Sequence, residues 1–155
     1  MSSAIDKVQA FLDDMQSGLK VMVIDADTST SELAARALGL EPGQIAKSLL
    51  FKSKSSFFMI VAAGDVRLDL KMVKELVGSR IRLADPDETM EQTGYPVGGV
   101  CPFCLPHPLP IYLDESMLRF DVVYAAAGTA NSALPVTFEQ LQAITGGIPC
   151  SVSLR

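Results

Sequence analysis

A lysine stands inside the most strand-prone run of this chain, Ile45-Ala46-Lys47-Ser48-Leu49-Leu50-Phe51, and a second such run, Phe57-Phe58-Met59-Ile60-Val61-Ala62, follows it closely. The polar residues 53–56 between them are turn formers, so the pair reads as an antiparallel hairpin over residues 45–52 and 57–62. A pleated, half-buried strand makes a lysine costly unless its ammonium finds a polar partner. Far downstream lies a neutral loop, Gly94-Tyr95-Pro96-Val97-Gly98-Gly99-Val100-Cys101-Pro102-Phe103, whose glycines let backbone approach a ligand closely. Together the lysine and the loop read as parts of a substrate pocket.

The rest of the chain alternates helix and strand around the hairpin. Ile5, Val8, Phe11, Leu12, Met15 and Leu19 recur at helical spacing, and Gly18 with the branched run at residues 21–24 ends that helix and begins a strand. Ser29 and Glu32 have the spacing of a capping box, Leu33, Ala34, Ala37 and Leu38 supply an apolar stripe, and Gly39 suits the stop. Asp69 caps a helix through Leu76 that Gly78 closes, residues 80–84 read as a strand, and Asp85-Pro86-Asp87-Glu88 opens a short helix stopped by Gly94. Strands are expected near residues 111–113, 122–127 and 150–153, with a turn at 128–132 and a helix begun by Thr137 and Gln140 in capping-box spacing. The pattern implies a mixed α/β architecture, not a doubly wound parallel one.

No repeat, low-complexity tract or linker interrupts the 155 residues, and 48% hydrophobic content is enough for a real core, so a single domain over residues 1–155 is expected. No apolar run approaches bilayer length, and the N-terminus lacks the basic and apolar segments of a secretory signal. The expectation is a cytoplasmic protein with no membrane contact. The net charge of −5 argues against strong autonomous nucleic-acid binding. The charge is uneven, however: residues 47–82 hold eight basic and three acidic side chains, a local excess of +5 that reads either as solvated strand ends and helix face or as a basic face for a polyanion.

The order of four segments resembles the YbaK/prolyl-tRNA-synthetase-associated domain family, whose members hydrolyse mischarged aminoacyl-tRNA. The segments are Thr30-Ser31-Glu32-Leu33-Ala34-Ala35, Ile45-Ala46-Lys47-Ser48-Leu49, Gly98-Gly99-Val100-Cys101-Pro102 and Leu109-Pro110-Ile111-Tyr112-Leu113-Asp114. Gly98 and Pro102 fit the family's Gly-x-x-x-Pro motif, and Lys47 before Ser-Leu fits its characteristic lysine. The resemblance implies a YbaK-like fold, a largely antiparallel and barrel-like sheet flanked by helices. It also implies catalytic roles for Lys47, Gly98 and Gly99, and substrate-binding roles for Thr30, Val100, Cys101, Pro102 and Asn131.

An aminoacyl ester is already activated, so its hydrolysis demands orientation and charge stabilisation more than a strong nucleophile. With one histidine in the chain, His107 in a proline-rich loop, a Ser-His-Asp or Cys-His arrangement is poorly supported. In the scheme the resemblance implies, Lys47 contacts the terminal adenosine or the ester while loop N–H groups hold the carbonyl. Plainer roles stand beside these: Lys47 snorkelling from a strand edge, Gly98 and Gly99 serving a turn, Pro102 stiffening it, Thr30 capping a helix with Ser29, and Asn131 as a turn residue.

Cys101 and Cys104 form Cys-Pro-Phe-Cys, a spacing used in redox motifs and in half of a zinc site. Cys150 and His107 lack the paired spacing of a second half, and Pro106, Pro108 and Pro110 prevent the helix that a thioredoxin-type motif should open. Neither a metal nor another cofactor is expected. Specificity is read from a departure: the alanine-clearing branch carries a histidine just before the segment matching Gly128-Thr129-Ala130-Asn131, where this chain has Ala126-Ala127. The resemblance therefore implies clearance of cysteine or another small amino acid from the acceptor end of mischarged proline tRNA, with prolyl-tRNA synthetase as the expected helper. Two rivals remain open, a non-catalytic aminoacyl- or nucleotide-binding module of the same fold and a Cys-x-x-Cys redox protein.

Overall fold

The structure, a computed structural model, describes residues 3–154. Its centre is the predicted hairpin. Strand β2 (Ile45–Ser53) pairs antiparallel with β3 (Ser56–Ala63) along its whole length, from Ala46 opposite Ala63 to Ser53 opposite Ser56. Alternation divides the β3 side chains between two cores: Met59, Val61 and Ala63 face one, Phe58 and Ile60 the other. Both faces are covered, which is why this strand reads as an unbroken apolar run and not as an alternating one.

The helices that cover them form where their caps specify. Helix α1 (Ala4–Asp14) starts at a Ser3/Asp6 capping box, and its Val8 and Leu12 enter the first core together with Leu141 of α5 (Phe138–Thr145), which starts at a Thr137/Gln140 capping box. Helix α2 (Ser31–Leu38) lays Ala34 and Ala35 on Ile45, and α3 (Leu70–Val77), capped by Asp69, lays Val73 on Phe51, Phe58 and Ile60. Helix α4 (Pro86–Thr93) has an Asp85/Glu88 capping box and ends at Gly94, whose φ of 80° is the left-handed stop that glycine meets without strain. Among the described residues no helix is long and apolar enough to cross a membrane.

The remaining strands are β1 (Met22–Val23), β4 (Ile81–Leu83), β5 (Ile111–Asp114), β6 (Val123–Ala125), β7 (Ser132–Val136) and β8 (Ile148–Cys150). They extend the hairpin into one mixed, largely antiparallel sheet in the order β1-β7-β6-β2-β3-β5-β8, with β4 as a branch on β2. The pairs β2–β6, β3–β5 and β5–β8 are parallel and the others antiparallel. Three expectations are corrected. The cap of α2 is Thr30, whose Oγ1 accepts the Leu33 N–H at 3.1 Å, while the Ser29 N–H is taken by Asp27. Strand β7 was not expected, because Pro135 within it argues against a central strand. The last strand lies at Ile148–Cys150, earlier than expected, and Ser153 forms only an isolated bridge to Leu68.

The branch at β2 positions the site. Along one edge β2 has β3 as a continuous partner; along the other it is shared, with β6 beside Ile45 and Ala46 and β4 beside Phe51, Lys52 and Ser53. Residues 47–49 therefore have no strand on that edge. The Ile45 carbonyl accepts the Gly64 N–H at 2.7 Å, so Ile45, Lys47 and Leu49 turn their backbone polar groups toward β3. By the same alternation Ser48 turns its N–H and C=O into the opening between β6 and β4.

Candidate functional site

A cavity of about 260 Å³ occupies that opening. Its floor is β2 from Ile45 to Leu50, and its walls are the N-terminal end of α2, the end of β4 at Leu83 and Ala84, the β6 segment 124–126, Ser132 and Ala133 of β7, and Val97, Gly98 and Val100 of the loop. Most of the lining is alanine, glycine, serine or threonine. The volume lies below the range usual for drug-sized ligands, which suits a small group.

Lys47 is one of the lining residues, and its Nζ donates a hydrogen bond to the Val66 carbonyl. Burial lowers its pKa below the usual lysine range, while the carboxylates of Glu32 and Asp65 push in the opposite direction. The turn that carries Val66 is itself held. Arg119 reaches Asp65 with two nitrogens, at 3.0 and 2.5 Å, and its Nε donates to the Ser116 carbonyl at 2.8 Å. A Cβ on Gly64 would lie 2.5 Å from the Pro42 carbonyl oxygen, so only glycine permits this close approach. Lys47 is thus a half-buried ammonium held on one carbonyl.

The loop at residues 94–104 is anchored from below. Cys101 and Phe103 are fully buried in the first core, and the Tyr95 hydroxyl donates to the Phe103 carbonyl. Gly99 sits with its backbone against the 128–129 segment: its carbonyl accepts the Gly128 N–H at 3.0 Å, and a Cβ there would lie 2.8 Å from backbone atoms of Gly128 and Thr129. Gly98, at φ 93°, passes Ser29 so closely that a Cβ would fall 2.9 Å from the Ser29 Cβ. The Gly99 N–H is used within the loop, on the Pro96 carbonyl at 2.9 Å. The N–H groups of Gly98 and Val100, both cavity-lining residues, carry no hydrogen bond within the described residues.

Of the residues read from sequence, the cavity brings together Thr30, Lys47, Gly98 and Val100. Gly99, Cys101 and Pro102 are buried behind it, and Asn131 is exposed, its carbonyl accepting the Ile24 N–H at 2.8 Å. Thr30 both lines the cavity and caps α2. Sequence reading missed Thr28, Ser48, Leu83 and Ala133; only Ser48, next to Lys47 on a recognised strand, had a signal that could have found it. The redox reading fares poorly on geometry. Burial pushes the Cys101 thiol up to about 12, the reverse of an activated redox thiol, and Cys104 is exposed with both sulfurs unbridged.

Comparison with known proteins bears on this geometry. Residues 25–144 match the model of the aminoacyl-tRNA editing domain. The chain is 41% identical over 122 residues to the uncharacterised protein YwhH of Bacillus subtilis, covering 78% of each. It is 29% identical over 126 residues to EbsC of Enterococcus faecalis, a proposed Cys-tRNA(Pro)/Cys-tRNA(Cys) deacylase, covering 78% of this chain and 75% of that one. A shorter match of 74 residues at 35% identity falls within the proline–tRNA ligase of Thermotoga maritima, of which it is 13%. Among solved structures, a proposed trans-editing enzyme for prolyl tRNA synthetase superposes with a TM-score of 0.93 at 38% identity, covering 100% of this chain and 99% of the other.

Proposed function

The chain belongs to the aminoacyl-tRNA editing domain family, and from that membership we propose that it is a trans-editing deacylase that hydrolyses a small amino acid, cysteine among them, from mischarged proline tRNA. The observation that carries the reading is that Lys47, Gly98 and Val100 line one small cavity at the split in the sheet, with no hydrogen bond on the Gly98 and Val100 N–H groups within the described residues. The likeness to EbsC and to the trans-editing structure supports the substrate and the action in trans. The match within proline–tRNA ligase supports prolyl-tRNA synthetase as the partner that delivers the tRNA.

The residues divide the chemistry as follows. The acceptor end enters with its acyl group in the cavity and its carbonyl oxygen toward Gly98 and Val100, where oriented N–H donors favour the tetrahedral oxyanion over the flat ester. Lys47, held against the Val66 carbonyl, supplies a positive charge beside the ester oxygens and fixes the terminal ribose. Water attacks the acyl carbon, its oxygen staying there to complete the carboxyl group of the freed amino acid and its proton passing to the leaving ribose oxygen. The bond to the ribose oxygen breaks, and that oxygen leaves with a proton.

Deacylation of cysteinyl-, alanyl-, seryl- and prolyl-tRNA for proline, by wild type, Lys47→Ala and the Cys101→Ala/Cys104→Ser double variant at low salt, tests the reading. The expected result is turnover of a mischarged species that falls at least a hundredfold with Lys47→Ala and survives loss of both thiols. Binding without turnover of any species would make the protein a non-catalytic module of the same fold.

A further inference from the structure

Two residues that line the cavity carry buried hydroxyls with no partner among the described residues. Thr28 Oγ1 and Ser48 Oγ are both shielded from solvent and make no hydrogen bond within the described residues, and both residues line the cavity. Thr28 is only 7% exposed. Burying a hydroxyl without a hydrogen bond is unfavourable, and such groups are rare unless something else satisfies them. Neither is loosely placed. The Thr28 N–H donates to the Ala130 carbonyl at 2.6 Å, and Ser48 is locked in register opposite Val61 on the central strand. The same lining holds Ala46, Ala125, Ala126 and Ala133, which offer apolar contact, while the Thr30 and Ser132 hydroxyls are already bonded to backbone groups.

We propose that Thr28 and Ser48 are specificity residues that take the γ-hydroxyl of the substrate's amino acid, making this deacylase select serine over alanine. The inference rests on the deacylase reading for the reaction, and on the cavity alone for the preference. A hydroxyl both donates and accepts, so it can pair with a wall hydroxyl in either sense, whereas a thiol does so weakly and a methyl group leaves the wall hydroxyls unpaired. A site that hydrogen-bonds a substrate hydroxyl rejects the analogue lacking it far more strongly than a size filter does. The alanine wall limits size, and the two hydroxyls then choose among the small side chains. The ribose carries hydroxyls of the same chemistry, so the experiment must separate the two sources.

The test uses the full chain with Ser48→Ala, Thr28→Val and the double variant, each checked for an unchanged thermal melting profile. Two readouts are taken: deacylation of seryl- and alanyl-tRNA for proline, and calorimetric binding of amide-linked 3′-seryl- and 3′-alanyl-aminoadenosine, which cannot hydrolyse. Wild type is expected to prefer the seryl member of each pair by at least tenfold, and the double variant to lose that preference. Equal use of the two by wild type overturns the proposal, as does a uniform fall for both substrates in the variants, which would assign the hydroxyls to the ribose. If no tRNA is deacylated, the binding pair still decides: a seryl preference that depends on Thr28 and Ser48 supports the assignment while the deacylase reading fails.

Discussion

Arg119 grips both oxygens of Asp65 one residue before the carbonyl that receives the Lys47 ammonium. An ion pair more than a third exposed on both sides contributes little to folding, because water screens it. Its consequence is positional: it fixes the turn on which Lys47 leans. Asp65 is correspondingly held below the usual carboxylate range, first by the hydrogen bond from Arg119.

Arg119→Ala is therefore expected to change unfolding free energy by no more than about 1 kcal/mol. The same variant should lower kcat for deacylation several-fold, and Arg119→Lys should restore only part of it, because a lysine cannot span both carboxylate oxygens. Urea denaturation beside single-turnover deacylation checks both. A loss of stability without a loss of rate would make the pair merely structural.

The half-buried Lys47 should set an alkaline limit on activity. Its folded pKa lies below the ordinary 10.5, so the protonated form is lost as pH rises through that lower value, and the rate should fall before an exposed lysine would titrate. Glu32 raises the Lys47 pKa, so Glu32→Gln should move the fall to lower pH. The stability sign is the opposite of a salt-bridged lysine's: burying the charge opposes folding below the folded pKa, and that cost is relieved as pH rises toward 10.5. A pH–rate profile corrected for spontaneous ester hydrolysis measures the shift, and coincident profiles for wild type and Glu32→Gln would contradict it.

Alanine at the two loop glycines should act by different routes. Gly98→Ala combines a left-handed φ with a clash against the Ser29 side chain, at a cost of about 1–3 kcal/mol, and moves a proposed oxyanion donor. Gly99→Ala pushes against backbone at Gly128 and Thr129, which cannot swing aside, so it should destabilise at least as much. Guanidinium midpoints rank the two variants, and deacylation measured well below each midpoint shows whether Gly98→Ala loses rate beyond its loss of stability.

Much of this fold was legible because its signals are local. The hairpin at β2 and β3, the Asp69, Asp85 and Thr137 caps and the Gly39, Gly78 and Gly94 stops each depend on a few adjacent residues. Strand β7 was hidden because Pro135 removes one ladder donor, yet its partners β1 and β6 supply pairing around it. Thr30 was read as a capping residue, but the capping box of α2 was set one residue early, at Ser29, because Ser29, Thr30 and Ser31 offer three hydroxyls in a row and spacing alone does not choose among them. Lys47 and Gly98 were readable by resemblance. Thr28 and Ser48 were not, since their significance comes from lacking a partner, a property of the folded cavity with no trace in the order of residues.

The split at β2 has a last consequence. A pocket framed only by flexible loops can widen to admit a larger guest, but here two of the walls, β6 and β4, are stitched to one central strand. The width of the opening is set by covalent spacing and hydrogen-bond register, like the gap between two teeth of a comb. Selectivity in such a site is retuned by exchanging the small side chains along the teeth, not by breathing, and a relative with a different taste in amino acids would keep the comb and change Ala126, Ala133 or Ser48.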